Sequence, residues 1–545
     1  MTNLQTTALQ TTALQTTAPQ TRASQTTEPQ PAVDLAARAR ASADLGDHAG
    51  AARLWAQAHA RQPANPDYFI ALTHSLVRAG DPLAALEVCD AAQATLASPP
   101  LARMRRAQIL YHDMAHPDAA WACFEDVLRG GGAHPAAHYG LARIAFDRLD
   151  LPLARHHAAV ALGGVDDFAA LWLLIWVLGD YEGALALSER LLAAEPTHLE
   201  LLVTRARAFY LLRRYDEALA MFARAAEHDP HQMGVGFGLA ELLLMAGDAK
   251  AGWRRFDSLV TDRVIQVVRP EVRPTLETYW RGQTLTGRRI LVVNFLGIGD
   301  NIMMSRFARA LKARGADVTF CCRPELYRLF AGLEGVDDLR ASYDEEPWEN
   351  FDYWTFDYML PRWLGGSENM IPAFPTGYVD APPIPAGVTR VAGRLRVGLC
   401  WSSAPVHFTG ASRFLSPEDF APLADLADVD WFLVQKGPFN AGFAARSGLA
   451  AVDPSDDWTD FRDTAAFMAS LDLVISIDSS PLHLAGALGI PAWGLICAAP
   501  DWKWGFGETS PWYPQIRLFR QARLDDWAPV IEEVKAALAV DALPR

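Results

Sequence analysis

A spacing of 34 residues runs through the first half of the chain and fixes what that half can become. Tyr181, Ala184 and Pro196 recur as Tyr215, Ala218 and Pro230, and Gly46-Asp47 with Ala51 recurs as Gly80-Asp81 with Ala85. A period of this length belongs to stacked helical hairpins, none of which can bury its apolar face without a neighbour. In the sharpest copy, Leu199 to Pro230, apolar residues fall at helical spacing in both helices, small Ala218 and Ala225 allow close approach, and Pro230 ends the second helix. Weaker copies start near Val33, Asp67, Leu101, Ala136, Phe168 and Met233, about seven units in all. Ala154 falls one residue off the spacing, and Gly130-Gly131-Gly132 interrupts it.

The pattern is that of tetratricopeptide repeats, so residues 33–263 are read as an α-solenoid whose concave face suits an extended peptide or a helix. Self-association, or bracing of the second half, would use the same kind of surface. Residues 1–32 repeat Leu-Gln-Thr-Thr-Ala and then decay around Pro19, Pro29 and Pro31. They hold too little apolar surface to offset the entropy of ordering, so a disordered, solvated tail is expected. The formal charge of −15 argues against nucleic acid as a partner, because phosphate binding relies on Lys and Arg. The longest apolar run, Phe168 to Leu178, falls short of the roughly 20 residues that span a bilayer, and no basic and apolar leader opens the sequence. A cytoplasmic protein without membrane insertion is expected. Six cysteines show no metal-ligand spacing and read as reduced core residues, and no metal is expected.

Residues 264–286 read as a linker with Pro270 and Pro274, and from residue 287 the pattern changes. Arg288–Asn294 is a short apolar run bounded by turn signals, as in a buried parallel strand. A glycine turn, a helix from Asn301 to Arg314 and a strand at Asp317–Cys322 complete a βαβ unit. A proline-rich crossing, Pro372 to Pro385, separates residues 287–385 from residues 386–545. Strands are expected there at Leu395–Trp401, Asp430–Val434, Asp472–Ile477 and Pro491–Ile496. Two doubly wound Rossmann-like halves facing each other across a cleft are the economical architecture, with ligands beyond the C-terminal strand ends.

Gly297-Ile298-Gly299-Asp300-Asn301 follows the first strand and opens a helix. Glycines let the backbone turn and approach a ligand, and the helix N-terminus favours anions. Asp300 stands at the cleft on this reading, although an acidic residue at a helix start also serves simply as a cap. The longer string Asp472 to Pro491 delivers Asp478 to a sheet edge, sets Ser479 and Ser480 as caps of a helix whose N–H groups can hold phosphate, and places His483 one turn into it. Trp401-Ser402-Ser403, His407, Arg413 and Gln435-Lys436-Gly437 lie at or after other strand ends. Arg and Lys there can neutralise phosphate oxygens as a leaving group develops charge. Pro500-Asp501-Trp502-Lys503-Trp504 and Ser510 to Pro514 form an aromatic loop pair, in which Trp502 and Trp504 either stack on a sugar or base or lock packing.

Through Gly297 to Asp300, Gln435 to Gly437, Asp478 to Pro491, Pro500 to Trp504 and Ser510 to Pro514, residues 287 to 537 resemble the family 9 glycosyltransferases, the class that contains the ADP-heptose:lipopolysaccharide heptosyltransferases. The closer likeness is to the subgroup in which tetratricopeptide repeats precede that domain. The resemblance implies a GT-B fold and a metal-independent, inverting transfer from a nucleotide-sugar donor held by residues 386–545, with no other cofactor. It implies Asp300 as base toward the acceptor hydroxyl, with Gly297, Gly299 and Asn301 on the acceptor side. Lys436 is implied as the cation near the donor phosphates and Asp478 as the donor-sugar contact, with Ser479, Ser480 and His483 around the diphosphate; Ser402 and Arg413, by their strand-end positions, are read as donor-binding with them. The layout is also similar to that of the flagellin glycosyltransferases of alphaproteobacteria, whose repeats capture flagellin and whose GT-B domain adds a nonulosonic acid.

Flagellin, at Ser or Thr, is accordingly the leading protein acceptor, with CMP-nonulosonate or ADP-heptose as candidate donors. Lipopolysaccharide or another surface polysaccharide as acceptor, and a repeat scaffold with an inactive transferase half, are the alternatives. Met303-Met304 stands where the repeat-bearing relatives carry Gln-Phe, and Phe414 where they carry Ser. These departures are expected to alter the acceptor and the donor side of the cleft. The solenoid reads as separable, so that deleting residues 33–262 would spare donor hydrolysis and abolish modification of a protein.

Overall fold

The computed structural model describes residues 31–541 except 97, 131–133, 149, 261–274, 342–349, 366–370, 373, 387 and 404–409. Residues 1–30 of the expected tail, residues 264–274 of the linker, Gly131-Gly132 and His407 lie outside the described residues, and the last residue of the expected tail, Ala32, opens the first helix. Two compact units divide the chain, Met1–Gly140 and Leu141–Arg545.

Among the described residues the first half forms seven helical hairpins. They are α1 (Ala32–Asp44) with α2 (His48–Arg61), α3 (Pro66–Arg78) with α4 (Pro82–Ala92), α5 (Pro99–His112) with α6 (Pro117–Arg129), and α7 (Pro135–Asp147) with α8 (Leu151–Ala161). Then come α9 (Asp167–Trp172) with α10 (Tyr181–Ala194), α11 (Leu199–Leu211) with α12 (Tyr215–His228), and α13 (Met233–Met245) with α14 (Ala249–Asp257). Four of the second helices start alike. Gly46, Gly80, Gly179 and Gly247 take the left-handed backbone that turns the chain, and the next residue, Asp47, Asp81, Asp180 or Asp248, accepts an N–H from the first turn. Each such cap stabilises its helix by about 1 kcal/mol. Ala115 and Arg213 hold the left-handed position in the third and sixth hairpins, where no side-chain cap forms. The cap positions slip by one residue at His116 and draw closer between Asp150 and Asp180, which is why Ala154 departs from the spacing. The apolar run Phe168 to Leu178 is the first helix of the fifth hairpin, closing as a π-helical turn, Leu173–Leu178.

The second half contains two wholly parallel sheets. In the first, β1 (Arg289–Val293) leads to α15 (Ile298–Ser305), α16 (Ala308–Ala313), β2 (Asp317–Cys321), α17 (Tyr327–Phe330), β3 (Asp338–Arg340), β4 (Tyr353–Phe356) and α18 (Leu360–Leu364), with strand order β3-β2-β1-β4. In the second, β5 (Leu395–Cys400), β6 (Val429–Leu433), α19 (Phe443–Ser447), α20 (Phe461–Met468), β7 (Leu473–Ile477), α21 (Ser480–Leu488), β8 (Ala492–Ile496), β9 (Arg517–Arg520) and α22 (Ala528–Asp541) give the order β6-β5-β7-β8-β9. The central strands β7 and β8 are buried along their whole length, the condition for a parallel sheet covered on both faces. This is the GT-B arrangement of two doubly wound halves.

The helix expected over Asn301 to Arg314 is two helices. The break falls at Arg306, whose buried guanidinium donates to the carbonyls of Met303 at 2.9 Å and Trp512 at 2.6 Å, and lies 4.7 Å from the rings of both Tyr378 and Tyr513. It thereby ties the first sheet's helix to the crossing segment and to the second half.

The solenoid does not end where the sheets begin. Trp253, Phe256 and Leu259 share one core with Trp280, Trp354, Met303 and Trp502. Phe237 of α13 stacks on Phe295 at 6.0 Å, Asp257 pairs with Arg362 at 3.3 Å, and the Tyr210 hydroxyl donates to the Pro500 carbonyl at 2.5 Å. Burying each such large apolar side chain contributes about 1.5–3 kcal/mol. Deleting residues 33–262 would open this shared core, because residues 141 onward form one compact unit with the sheets. No disulfide links the six cysteines, five of which are buried. Among the described residues no helix is long and apolar enough to cross a membrane.

Candidate active site

Strand order reverses between β1 and β4 in the first sheet and between β5 and β7 in the second, and such switch points leave a crevice at the C-terminal strand ends. The segments leaving these ends line one cavity of about 540 Å³. Leu296 to Asp300 follow β1, Tyr358 follows β4, Ser403 follows β5, Asp478 to Ser480 follow β7, and Asp501 to Lys503 follow β8.

Two glycine-assisted helices bring the walls together. At Gly299 in α15 a Cβ would lie 2.7 Å from Cδ2 of His483 in α21, so only glycine admits that imidazole. His483 is buried; its Nδ1 lies 3.1 Å from the Tyr513 hydroxyl and its Nε2 3.7 Å from Asp478. Arg413, also buried, donates to the Ser403 hydroxyl at 2.8 Å and to the Asp478 carbonyl at 3.3 Å, with its guanidinium 3.9 Å from the Asp478 carboxylate. Burial alone would raise the Asp478 carboxyl, but Lys503, the His483 hydrogen bond and Arg413 outweigh it and hold the group well below the usual carboxylate range.

Lys503 is the central cation. Its ammonium lies 2.6 Å from Asp501 and 3.5 Å from Asp300, with Asp478 also acting on it. Burial works to strip its proton, and the three carboxylates prevail, so its proton is held more tightly than that of an exposed lysine. Lys503 is hard to single out in the sequence, because it sits between two tryptophans in a string that reads as aromatic. The signal was Asp501-x-Lys503 just beyond a buried strand.

Of the other site residues expected from sequence, Gly297, Gly299, Asp300, Arg413, Asp478, Ser479, Ser480, His483 and Trp502 line the cavity. Asn301 lies behind it: its amide donates to Asp357 at 2.8 Å and its carbonyl accepts from the Arg323 N–H at 3.2 Å. Asp357, fully enclosed, has its carboxyl raised to about 6 by burial despite hydrogen bonds from Asn301, Asn294 and two backbone N–H groups. The Ser479 hydroxyl turns back to Ser476 at 3.0 Å and Cys400 at 3.3 Å and does not cap α21, contrary to the expectation of a capping serine. Ser402 is engaged by Gln435, which donates to its hydroxyl at 3.0 Å, and Ser403 takes the place on the wall. Lys436 is exposed, donates to the Trp458 carbonyl and is not on the cavity wall. Trp504 packs on Tyr513 at 5.9 Å and His483 at 5.3 Å behind the wall. Met303 and Met304 are core residues away from the cavity, so the expected change on the acceptor side does not arise by contact, while Phe414 packs 5.6 Å from the Arg413 guanidinium.

A third wall comes from the repeats. Arg207 and Tyr210 of α11 and Phe237 and Glu241 of α13 line the same cavity. No local pattern could have found them, because only the docking of the last hairpins on the sheets brings them there.

Fold and cavity together define a helical-repeat protein whose last hairpins wall the cleft of a two-sheet, GT-B-type domain. The model for the tetratricopeptide repeat matches residues 178–227. The chain is 26% identical over 416 residues to Protein FlbA of Caulobacter vibrioides, covering 69% of this chain and 68% of that one. Among solved structures it is similar to the glycosyl transferase family 9 from Veillonella parvula, at 13% identity, covering 48% of this chain and 92% of that one with a TM-score of 0.34. It is also similar to the E. coli ADP-heptose lps heptosyltransferase II, at 15% identity, covering 47% and 99% with a TM-score of 0.33.

Proposed function

We propose that this protein is an inverting, metal-independent glycosyltransferase that moves a sugar from a nucleotide-sugar donor to a protein acceptor held by the repeats. The observation that carries this reading is one cavity with Asp300 on the first sheet's helix and Asp478, Ser480, Arg413 and Lys503 on the second sheet's side. In the proposed step Asp300 takes the proton of an acceptor hydroxyl as its oxygen bonds to the anomeric carbon. The bond from that carbon to the donor phosphate breaks on the opposite face, and the phosphate leaves with the bonding pair. Its charge is met by Arg413 and the N-terminus of α21, fixed groups that need no reorganisation. Resident cations of this kind support transfer without a metal.

Ser or Thr of flagellin is the proposed acceptor and a nonulosonic acid the proposed sugar, on the strength of the shared layout of repeats and GT-B domain. The cytoplasm is the proposed location. The test is calorimetric titration of the full chain with ADP, UDP, GDP and CMP in EDTA. One of them is expected to bind, and Asp478→Ala to weaken it by about tenfold or more. Binding that appears only when magnesium is restored would contradict the metal-independent reading, and binding of none would contradict the donor class.

A further inference from the structure

The solenoid's contribution to the cleft is specific. Glu241 and Phe237 stand one turn apart on α13, and both face the cavity that holds Asp300 and Lys503. Phe237 packs on Phe295, Phe256 and Tyr358 at 6.0, 5.2 and 6.4 Å, and Tyr210 on the neighbouring helix is bonded to Pro500. These contacts fix α13 on the sheet domain.

Around Glu241 the charged groups are Asp501, Lys503 and Asp300 from the sheet domain and Arg207 from α11, with the hydroxyls of Tyr210 and Tyr358 also close. Burial, with Asp501 and Asp300, raises its carboxyl well above the ordinary range against the opposing pull of Lys503 and Arg207. A protonated carboxyl offers an O–H donor, so it can hold the oxygen of an acceptor hydroxyl while that hydroxyl's own proton points to Asp300. A carboxylate in the same place would compete with Asp300 for the proton.

We propose that Glu241 orients the acceptor hydroxyl beside Asp300, so that the last repeat supplies part of the reaction centre as well as a docking surface. This rests on the transfer reading above. It makes the acceptor segment pass between α13 and α15, where substrate position decides rate.

The test uses the full chain with Glu241→Ala and Glu241→Gln, read by calorimetric Kd for ADP, UDP, GDP and CMP and by the fraction of flagellin carrying sugar in cells expressing each variant. Both variants should bind the nucleotide that the wild type binds within about twofold, and Glu241→Ala should lower the modified fraction by about tenfold or more. Glu241→Gln, uncharged with one donor group and one acceptor, should keep about half or more of it. Should Glu241→Ala fail to fold, Glu241→Met fills the volume without a polar group and should show the same loss. Wild-type modification with Ala or Met at this position would overturn the role, and so would a tenfold loss of nucleotide affinity in either, which would move Glu241 to the donor side. Flagellin without sugar in wild-type cells would instead end the transfer reading, and this role with it.

Discussion

The ammonium of Lys503 lies 3.5 Å from the carboxylate of Asp300, joining the loop beyond β8 of one sheet to the helix after β1 of the other. It is the shortest ionic link across the proposed reaction centre, and it sets the base beside the groups that face the donor.

Removing that cation leaves Asp300, Asp501 and Asp478 facing one another. Breaking a buried ion pair from one side costs about 3–5 kcal/mol, so Lys503→Met should lower the unfolding free energy by that order. Lys503→Arg should lose less. Urea unfolding of the three proteins measures it, and a Lys503→Met midpoint equal to wild type would show that the link does not stabilise the fold.

Gly299 and Gly297 should differ sharply although both lie in one motif. Gly299→Ala puts a Cβ 2.7 Å from His483, whereas at Gly297 the nearest atom is the Asp300 carboxylate at 3.6 Å. Transfer by Gly299→Ala should fall by about ten- to a hundredfold, with a stability change within about 1–3 kcal/mol. Gly297→Ala should stay near wild type. Initial rates and thermal midpoints check both, and the reverse ranking would refute the close-approach argument.

Asp357 gives a pH signature. Its folded pKa, about 6, lies above the ordinary carboxylate value, so the fold prefers the protonated acid. The stability it contributes is complete below the ordinary value of about 4 and is lost as pH rises through about 6. Two pKa units correspond to about 3 kcal/mol. Between about pH 4 and pH 7 the wild type should lose stability relative to Asp357→Asn by that order. Denaturant titrations of the pair across this range measure it, and parallel curves would contradict the burial argument.

The compact unit from residue 141 predicts where the chain tolerates truncation. A fragment of residues 134–545 should fold and bind nucleotide like the full chain. A fragment starting at residue 263 should aggregate, since Trp253 and Phe256 belong to the sheet domain's core. Trp253→Ala in the full chain should cost about 3–5 kcal/mol. Cooperative unfolding of the shorter fragment, followed by circular dichroism, would restore the separable solenoid.

Local patterns made much of this legible. The Gly-Asp caps and small alanines of the hairpins recur in sequence because each hairpin solves the same packing problem, and the buried strands β1, β5, β7 and β8 are apolar runs of the right length. Strands β3, β4 and β9 are short and edge-like, with charged or aromatic residues that carry no alternation. Asp300, Asp478 and His483 were readable because each follows a strand. A strand-end position does not fix where a lysine points, and Lys436 turns to the Trp458 carbonyl. Lys503 and Glu241 depended on contacts between segments far apart in sequence, which no local spacing encodes.

Transfer to flagellin is decided by its intact mass from cells carrying the wild-type chain and from cells carrying Asp300→Ala. Sugar-sized increments are expected on the wild-type sample and none on the variant. Identical masses in the two would contradict transfer to this acceptor.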